Sequence, residues 1–186
     1  KDFVFIFLMV ASFAEVYYLN QKKPIFVWIA WFFLLIAAGF RYFVGADYPI
    51  YNNLFVGFSI YTSYADVWDK ALFRESAEQI EWIFVLINKI VFDLGLPFYM
   101  VTFIMALITL SLKFSTIYEN VSYPALAILL YFMPIFFFED SGQMRQGIGI
   151  AISVFSFRYI KSRNLPMFLL MIYLALGFHK TSVVFL

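Results

Sequence analysis

Six long apolar runs constrain this chain more than any other feature of its sequence. A helix of about 20 apolar residues crosses the roughly 30 Å hydrocarbon core of a bilayer. Where a run is shorter, aromatic and long side chains can occupy the interfaces at its ends. The runs therefore predict an all-α, polytopic integral membrane protein with about six transmembrane helices. Their bounds are Phe3–Leu19, Ile25–Phe40, Phe98–Leu112, Pro124–Phe138, Gln146–Ile160 and Leu165–Leu186.

Composition supports a membrane environment and excludes several functional classes. The chain is 64% hydrophobic and 13% charged, whereas soluble domains are about 45–50% apolar and about 25% charged. A net charge of +1 without a basic run gives no indication of nucleic-acid binding. Without cysteine and with one histidine, disulfides and the usual zinc constellations are excluded. We treat residues 1–186 as a single transmembrane domain and expect it to be the N-terminal part of a longer protein.

One further segment, Glu78–Pro97, has a helical pattern but carries polar residues within its apolar stretch. It ends at a glycine–proline pair, which is typical of a helix C-terminus. If it does not cross the membrane, it is a re-entrant or amphipathic helix. If it crosses as a seventh span, Lys89 and Asp93 lie four residues apart and can pair on one face. The distribution of lysine and arginine among the loops favours a helix that does not cross the membrane.

Lysine and arginine favour the cytoplasmic side of short membrane loops. The loops that contain Lys22 and Lys161 fall on the same side only if Glu78–Pro97 does not cross. The acid-containing section Arg41–Gln79 and the pair Glu139-Asp140 then lie outside. This topology predicts a cytoplasmic Lys22 loop and an outer face that carries most of the unusual polar residues.

Five of those outer-face residues are candidates for a site. Arg41 ends the second apolar run, Asp47 follows six residues later, Arg145 and Gln146 open the fifth run, and His179 lies far along the last. Ionisable groups at membrane depth are costly and usually functional. Arginines beside a histidine indicate an anionic ligand, because the guanidinium fork fits phosphate oxygens and stays charged. Interfacial anchoring is the alternative for the arginines.

A stripe of small and polar residues follows Arg145 along the predicted fifth helix. Gln146, Gly149, Ser153 and Ser156 are spaced three, four and three residues apart, so they share one face. Small residues let membrane helices approach closely. We expect this face to pack against another helix, and a groove for a lipid tail is the alternative.

Four segments resemble the EpsG family of Wzy-type polysaccharide polymerases in their order and spacing. They contain the arginine–glycine–aspartate–tyrosine, arginine–glutamine and phenylalanine–histidine elements and together cover most of the chain. The segments are Gly39–Phe55 (GFRYFVGADYPIYNNLF), Glu81–Ile90 (EWIFVLINKI), Ser141–Ile160 (SGQMRQGIGIAISVFSFRYI) and Phe178–Phe185 (FHKTSVVF).

The resemblance implies a multi-pass protein of the bacterial inner membrane. Such a protein joins glycan repeat units carried on undecaprenyl diphosphate at the outer face of that membrane, for a capsule, exopolysaccharide or O-antigen. The implied partners are the lipid-linked oligosaccharide, the bilayer and a chain-length regulator protein. An O-antigen ligase, another lipid-phosphate-dependent glycosyltransferase and a flippase of a lipid-linked substrate are alternatives.

This chemistry assigns roles to the candidate residues. Fixed cations stabilise the charge that develops on a diphosphate leaving group, so we expect Arg145 to bind the diphosphate, with Gln146 beside it and Arg41 as a second contact. An acceptor hydroxyl must lose its proton in the transition state, and Asp47 and His179 are both candidate bases. We expect an inverting reaction without a metal or another cofactor, although Asp47, Glu139 and Asp140 are carboxylates that a hard cation could use.

Overall fold

The computed structural model describes residues 2–19, 22–41, 47–73, 80–133, 136 and 143–185, and within these ranges the regular secondary structure is helical, without a strand. The helices are α1 (Asp2–Phe13), α2 (Pro24–Gly39), α3 (Tyr48–Tyr61), α4 (Tyr64–Phe73), α5 (Trp82–Asp93), α6 (Tyr99–Asn120), α7 (Pro124–Tyr131), α8 (Met144–Lys161) and α9 (Leu165–Phe178). A π-helical segment, Ala14–Leu19, continues α1, and a 3-10 segment, Lys180–Phe185, follows α9. The predicted all-α class is confirmed.

The six apolar runs are mostly helical where the structure describes them, but the helices differ in length. Within the described residues, two helical stretches are long and apolar enough to cross a bilayer, namely Asp2–Leu19 and Tyr99–Asn120. The helices Pro24–Gly39 and Leu165–Phe178 are apolar but shorter, and α7 has 8 residues. Six crossings therefore remain a prediction. Prolines occupy the first turns of α2, α7 and α9. The backbone N–H that proline lacks would have no hydrogen-bond partner within the helix at these positions.

The central helix is α6, whose 22 residues rise about 33 Å. One of its faces joins α1, α2 and α7 in a buried cluster that includes Leu8, Leu34, Leu110 and Ile128. A second face joins α3, α5, α8 and α9 in a cluster that includes Met105. The two apolar clusters therefore share one helix, and α6 positions the other helices relative to each other.

Contacts along α6 define two ends of the bundle. Near the start of α6, the Thr102 hydroxyl donates to the carbonyl of Gly39 at the end of α2 (2.6 Å). Near its other end, Glu119 pairs with Arg158 in the last turn of α8 (2.7 Å). The start of α8, with Arg145, therefore lies at the same end as the start of α6. We call this the Arg145 end, and we call the opposite end, where Lys22 binds the Tyr118 carbonyl, the Lys22 end.

Helix α5 packs between α3 and α9 and is short, and whether it crosses the membrane remains a prediction. Its 12 residues rise about 18 Å, well below the thickness of the hydrocarbon core. Lys89 pairs with Asp93 (2.9 Å) and also donates to the Ser59 carbonyl of α3 (3.0 Å). The Lys89–Asp93 pair, which was expected if this segment were a seventh span, is therefore present. Lys89 also connects α5 to α3.

The glycine–proline pair ends α5 as its sequence predicts. Gly95 has φ +68°, a left-handed conformation that glycine adopts without steric cost. Its N–H donates to the Phe92 carbonyl, and the Leu96 N–H donates to the Val91 carbonyl. This is the Schellman arrangement, in which a left-handed glycine satisfies the last carbonyls of a helix.

A buried carboxylate connects α1 to α7 near the Lys22 end. Glu15 is fully buried, and one of its oxygens accepts from the backbone N–H of Ala125 in the first turn of α7 (2.8 Å). Its other oxygen accepts from the Lys23 N–H before α2 (3.4 Å). The first N–H groups of a helix have no partner within that helix, and a negative charge there is favourable. Glu15 therefore holds three segments together.

We predict that Glu15→Leu destabilises the protein by about 1–3 kcal/mol, because the buried Ala125 N–H loses its acceptor. Glu15→Gln should lower the free energy of unfolding by less, since the amide oxygen of glutamine can still accept one hydrogen bond. The matched control is Glu119→Leu, which removes an exposed ion pair worth about 0–1 kcal/mol. Unfolding in detergent, followed by circular dichroism, measures all three. Equal losses for Glu15→Leu and Glu119→Leu would contradict the role of Glu15.

Candidate functional site

An ion pair between α8 and the start of α5 forms the centre of the candidate site. Arg145 Nη1 lies 2.7 Å from Glu81 Oε2, and the two side chains are 19% and 12% exposed. Arg145 is in the first turn of α8, and Glu81 immediately precedes α5. Charge-assisted hydrogen bonds of this kind are short and strong. Glu81 therefore fixes the direction of the guanidinium plane.

Tyr51 of α3 extends this pair towards Asp47. Arg145 Nε donates to the Tyr51 hydroxyl (3.1 Å), and this hydroxyl donates to Asp47 Oδ2 (3.4 Å). The guanidinium carbon also lies 5.3 Å from the Tyr51 ring centre and 5.8 Å from that of Phe84. Burial raises the pKa of Tyr51 above its ordinary value, although Arg145 opposes the rise. Tyr51 therefore stays protonated and links the carboxylate to the arginine.

Glu81 also binds the turn that follows α9. Its Oε1 accepts from the backbone N–H of Lys180 (3.0 Å), while Oε2 holds Arg145. His179 precedes Lys180 in an extended conformation, and its N–H donates to the Ala175 carbonyl. One carboxylate thus sets the relative positions of α8 and the His179 turn.

His179 is half-buried, and its hydrogen bonds define its neutral form. The Thr181 backbone N–H donates to Nδ1 (3.3 Å), and the Thr181 hydroxyl lies 2.7 Å from the same nitrogen. A nitrogen that accepts a hydrogen bond carries no proton, so the neutral ring carries its proton on Nε2. Burial lowers the pKa of His179, Glu81 raises it, and the cations Arg145 and Lys180 lower it further. At neutral pH, the ring presents an N–H donor.

The small stripe on α8 packs against α9 and the 3-10 segment. A Cβ on Gly149 would lie 2.7 Å from Ser182 Oγ and 3.3 Å from His179 Cβ, so only glycine fits without movement. Ser153 Oγ donates to the Gly149 carbonyl (2.8 Å), and Ser156 Oγ donates to the Ser153 carbonyl (2.6 Å). Both serines are fully buried. The packing interpretation is confirmed, and the close approach at Gly149 positions His179.

The structure brings together three of the five predicted site residues. Asp47 and Arg145 are linked through Tyr51, and His179 lies next to the residue that Glu81 binds. Gln146 is half-buried in the first turn of α8. Arg41 is 5% exposed and follows Gly39 at the Arg145 end of α2. Contacts of Gln146 and Arg41 with a diphosphate remain predictions.

Two members of this network, Tyr51 and Glu81, were not among the predicted site residues. Tyr51 lies within the segment Gly39–Phe55 and Glu81 within Glu78–Pro97, and no role was predicted for either side chain. The spacing of Asp47 and Tyr51, four residues apart, is the one local indication that the two side chains could meet. Nothing local indicates the contact between Glu81 and Arg145, which are 64 residues apart.

In the described part of the chain, no three histidine, cysteine, aspartate or glutamate side chains are close enough to hold a metal ion together. Glu139 and Asp140, two of the carboxylates considered from the sequence, lie outside the described residues. The expectation of a metal-free reaction remains a prediction.

The family model described as the EpsG family matches residues 24–186, which include every residue of the network from Asp47 to Thr181. Comparison with curated proteins and with solved structures gives no match. The resemblance inferred from the four sequence segments is confirmed.

We predict that Gly149→Ala destabilises the protein by about 1–3 kcal/mol, the usual cost of overpacking, because its methyl group collides with Ser182. Adding Ser182→Ala should recover much of this loss, since it removes the Oγ that the methyl group meets. Gly57→Ala is the matched control: a Cβ there meets nothing within 4 Å, so it should keep or raise stability. Thermal unfolding of the single and double variants measures the coupling. Additive losses from Gly149→Ala and Ser182→Ala would contradict this contact.

Proposed function

Because this chain belongs to the EpsG family, we propose that it is a glycosyltransferase that polymerises lipid-linked glycan repeat units. Family membership and the apolar helices make it a membrane protein of polysaccharide biosynthesis, related to polysaccharide polymerases. The finer proposal is that it joins repeat units carried on undecaprenyl diphosphate at the outer face of the bacterial inner membrane. The observation that carries this proposal is the half-buried Arg145, whose orientation Glu81 and Tyr51 fix.

The orientation of Arg145 suits a diphosphate. A guanidinium has five N–H donors, and those to Glu81 and Tyr51 use one on Nη1 and the one on Nε. Among the described residues, no acceptor occupies Nη2. This edge can therefore donate to phosphate oxygens while Glu81 holds the opposite side. Donors fixed before the reaction stabilise developing charge without reorganisation.

Two further cations lie at the Arg145 end of the bundle. The Lys180 backbone N–H donates to Glu81, and the Lys180 side chain is exposed. Arg41 is buried at the end of α2. In the proposal, these two residues add positive charge at the end of the bundle where Arg145 binds the diphosphate.

The hydrogen bonds of His179 favour Asp47 as the base. The neutral ring presents Nε2–H, which can donate to a ligand but cannot accept a proton. Asp47 presents a carboxylate held by Tyr51. In the proposed step, the acceptor hydroxyl oxygen bonds to the anomeric carbon while its proton passes to Asp47. The bond from that carbon to the diphosphate oxygen breaks, and the lipid diphosphate leaves with the electron pair near Arg145.

The distribution of charge supports the proposed orientation. Lys22, Arg158 and Lys161 lie at the Lys22 end of the bundle, and Arg163 follows in the next turn. The positive-inside rule favours the cytoplasm for such an end, and this supports the proposal that the Arg145 end lies at the outer face. This orientation, with six crossings and α5 as a helix that does not cross, is part of the proposal.

The direct test is incubation of the purified full-length protein with undecaprenyl-diphosphate-linked repeat units. Ladders of polymer would support the proposal, and release of undecaprenyl diphosphate in step with chain growth would support the bond changes described above. Transfer to lipid A would instead indicate a ligase. Absence of any transfer, combined with movement of the lipid-linked unit across vesicles, would indicate a flippase.

We predict that Arg145→Lys lowers the polymerisation rate about a hundredfold or more, because lysine keeps the charge but lacks the fork that meets both Glu81 and the diphosphate. Arg145→Ala should lose still more. The matched control is Arg158→Lys in the last turn of the same helix, where the guanidinium pairs with an exposed Glu119 and should be replaceable. Normal polymer from Arg145→Lys, at equal protein abundance, would rule out the role of the fork.

We predict that the activity of the protein falls on the acid side of pH 6.5 as His179 becomes protonated. Its lowered pKa keeps the ring neutral until the pH drops below the ordinary histidine value, after which Nδ1 can no longer accept from Thr181. His179→Gln keeps an amide donor near the position of Nε2 but does not titrate, so this decline should disappear. His179→Ala should reduce activity at every pH. An unchanged pH profile in His179→Gln would assign the decline to another group.

A further inference from the structure

A groove of about 330 Å³ lies between α2 and α6 at the Lys22 end. Its walls include Pro24, Val27, Trp28 and Trp31 from α2, and Phe114 and Tyr118 from α6. The volume falls in the range typical of small-molecule sites. None of the residues that line it is charged. The groove is therefore suited to an apolar chain.

Two polar residues of the groove walls, Trp31 and Ser111, are paired with each other. The Trp31 indole N–H donates to Ser111 Oγ (3.2 Å), so neither group requires a polar ligand. Trp28 lies edge-on to Trp31, with ring centres 5.7 Å apart, and 63% of its surface is exposed. In a bilayer, this open side faces lipid. An occupant can therefore enter from the membrane without passing through the protein.

A cation lies at one end of the groove. Lys22 Nζ donates to the Tyr118 carbonyl (2.7 Å) and lies 4.7 Å from the centre of the Tyr118 ring. An ammonium has three donors, and among the described residues no carboxylate pairs with Lys22. Its charge and its other donors are therefore available to a ligand that also contacts Tyr118.

Two other cations at this end have partners within the protein. Arg158 pairs with Glu119, donates to Ser115 and stacks on Phe155, 3.6 Å from its ring centre. Lys161 donates to Asn120 Oδ1. Lys22 differs from both because it contacts Tyr118, a residue of the groove wall, and this makes it the head-group contact.

We propose that this groove binds one acyl chain of an anionic phospholipid whose phosphate is held by Lys22. From Pro24 to Trp31, α2 advances seven residues, or about 10 Å, so the groove runs from the level of the lysine towards the membrane interior. Tryptophan and tyrosine favour the interface between head groups and acyl chains. The charge of Lys22 selects an anionic head group over a zwitterionic one. This lipid site lies at the end of the bundle opposite the Arg145 network.

The test uses the full-length protein in phosphatidylcholine vesicles. They contain a small fraction of a phospholipid with a photoreactive acyl chain, and its head group is either phosphatidylglycerol or phosphatidylcholine. After irradiation, mass spectrometry of the peptides locates the adducts. We expect adducts on Trp28, Trp31 and Phe114, about fivefold more abundant with phosphatidylglycerol, as one lysine near an anionic lipid supplies. Unlabelled phosphatidylglycerol should compete.

Matched variants at the Lys22 end separate this site from general membrane contact. Lys22→Gln should reduce labelling by phosphatidylglycerol to the phosphatidylcholine level, and Lys22→Arg should preserve the preference. Lys161→Gln removes a charge from the same end and should change nothing. Equal labelling by both lipids in the unmodified protein, or the same loss in Lys161→Gln, would overturn the proposal. So would absence of adducts on the groove residues, since another occupant would then fill it.

Discussion

The position of the candidate site depends on one carboxylate. Glu81 accepts from Arg145 through one oxygen and from the Lys180 backbone through the other, so a single side chain joins α5, α8 and the turn after α9. Neither neighbour is fixed by covalent connection to α5, because both are more than sixty residues away along the chain. The position of this half-buried carboxylate is strongly constrained. If either hydrogen-bond donor moved away, one carboxylate oxygen would be left without a partner in a region of low dielectric. The same contact that orients Arg145 also sets the distance between the arginine and His179.

The residues that sequence analysis identified are those whose chemistry is unusual for their surroundings. Arg145, His179 and Asp47 are conspicuous because ionisable groups are rare in an apolar chain, and the segments that contain them also carry the family resemblance. Apolar periodicity and the glycine–proline pair predicted the helices and the end of α5 for local reasons: each depends on a few consecutive residues. Glu81 was not identified because its role arises from contacts across the fold. Helix length was also beyond the sequence pattern, since α9 ends at Phe178 although its apolar run extends further.

Gly149 links helix packing to the candidate site, because it lies against both Ser182 and His179. The stripe that contains it was compatible both with packing and with a lipid groove, because small side chains serve either purpose. The structure decides between them through the serine hydroxyls, which donate to carbonyls of their own helix and so need no external partner. Close approach at Gly149 brings Ser182 and His179 against α8. The stripe thus contributes to the site indirectly, by allowing the histidine turn to lie where Glu81 can hold the adjoining N–H.

The cationic side chains at the two ends of the bundle have different partners, and this difference is consistent with the proposed orientation in the membrane. At the Lys22 end, Arg158 pairs with Glu119, while Lys22 is directed to a backbone carbonyl and an aromatic ring. These contacts suit an interface where lipid phosphates are abundant. At the Arg145 end, Glu81 binds the arginine on one side and leaves Nη2 directed away from the pair. An arginine that was only an anchor in the interface would gain nothing from such constraint, because a flexible side chain reaches lipid phosphates more easily. Constraint is useful when a donor must meet charge that develops at a defined position, which is the requirement of a leaving diphosphate.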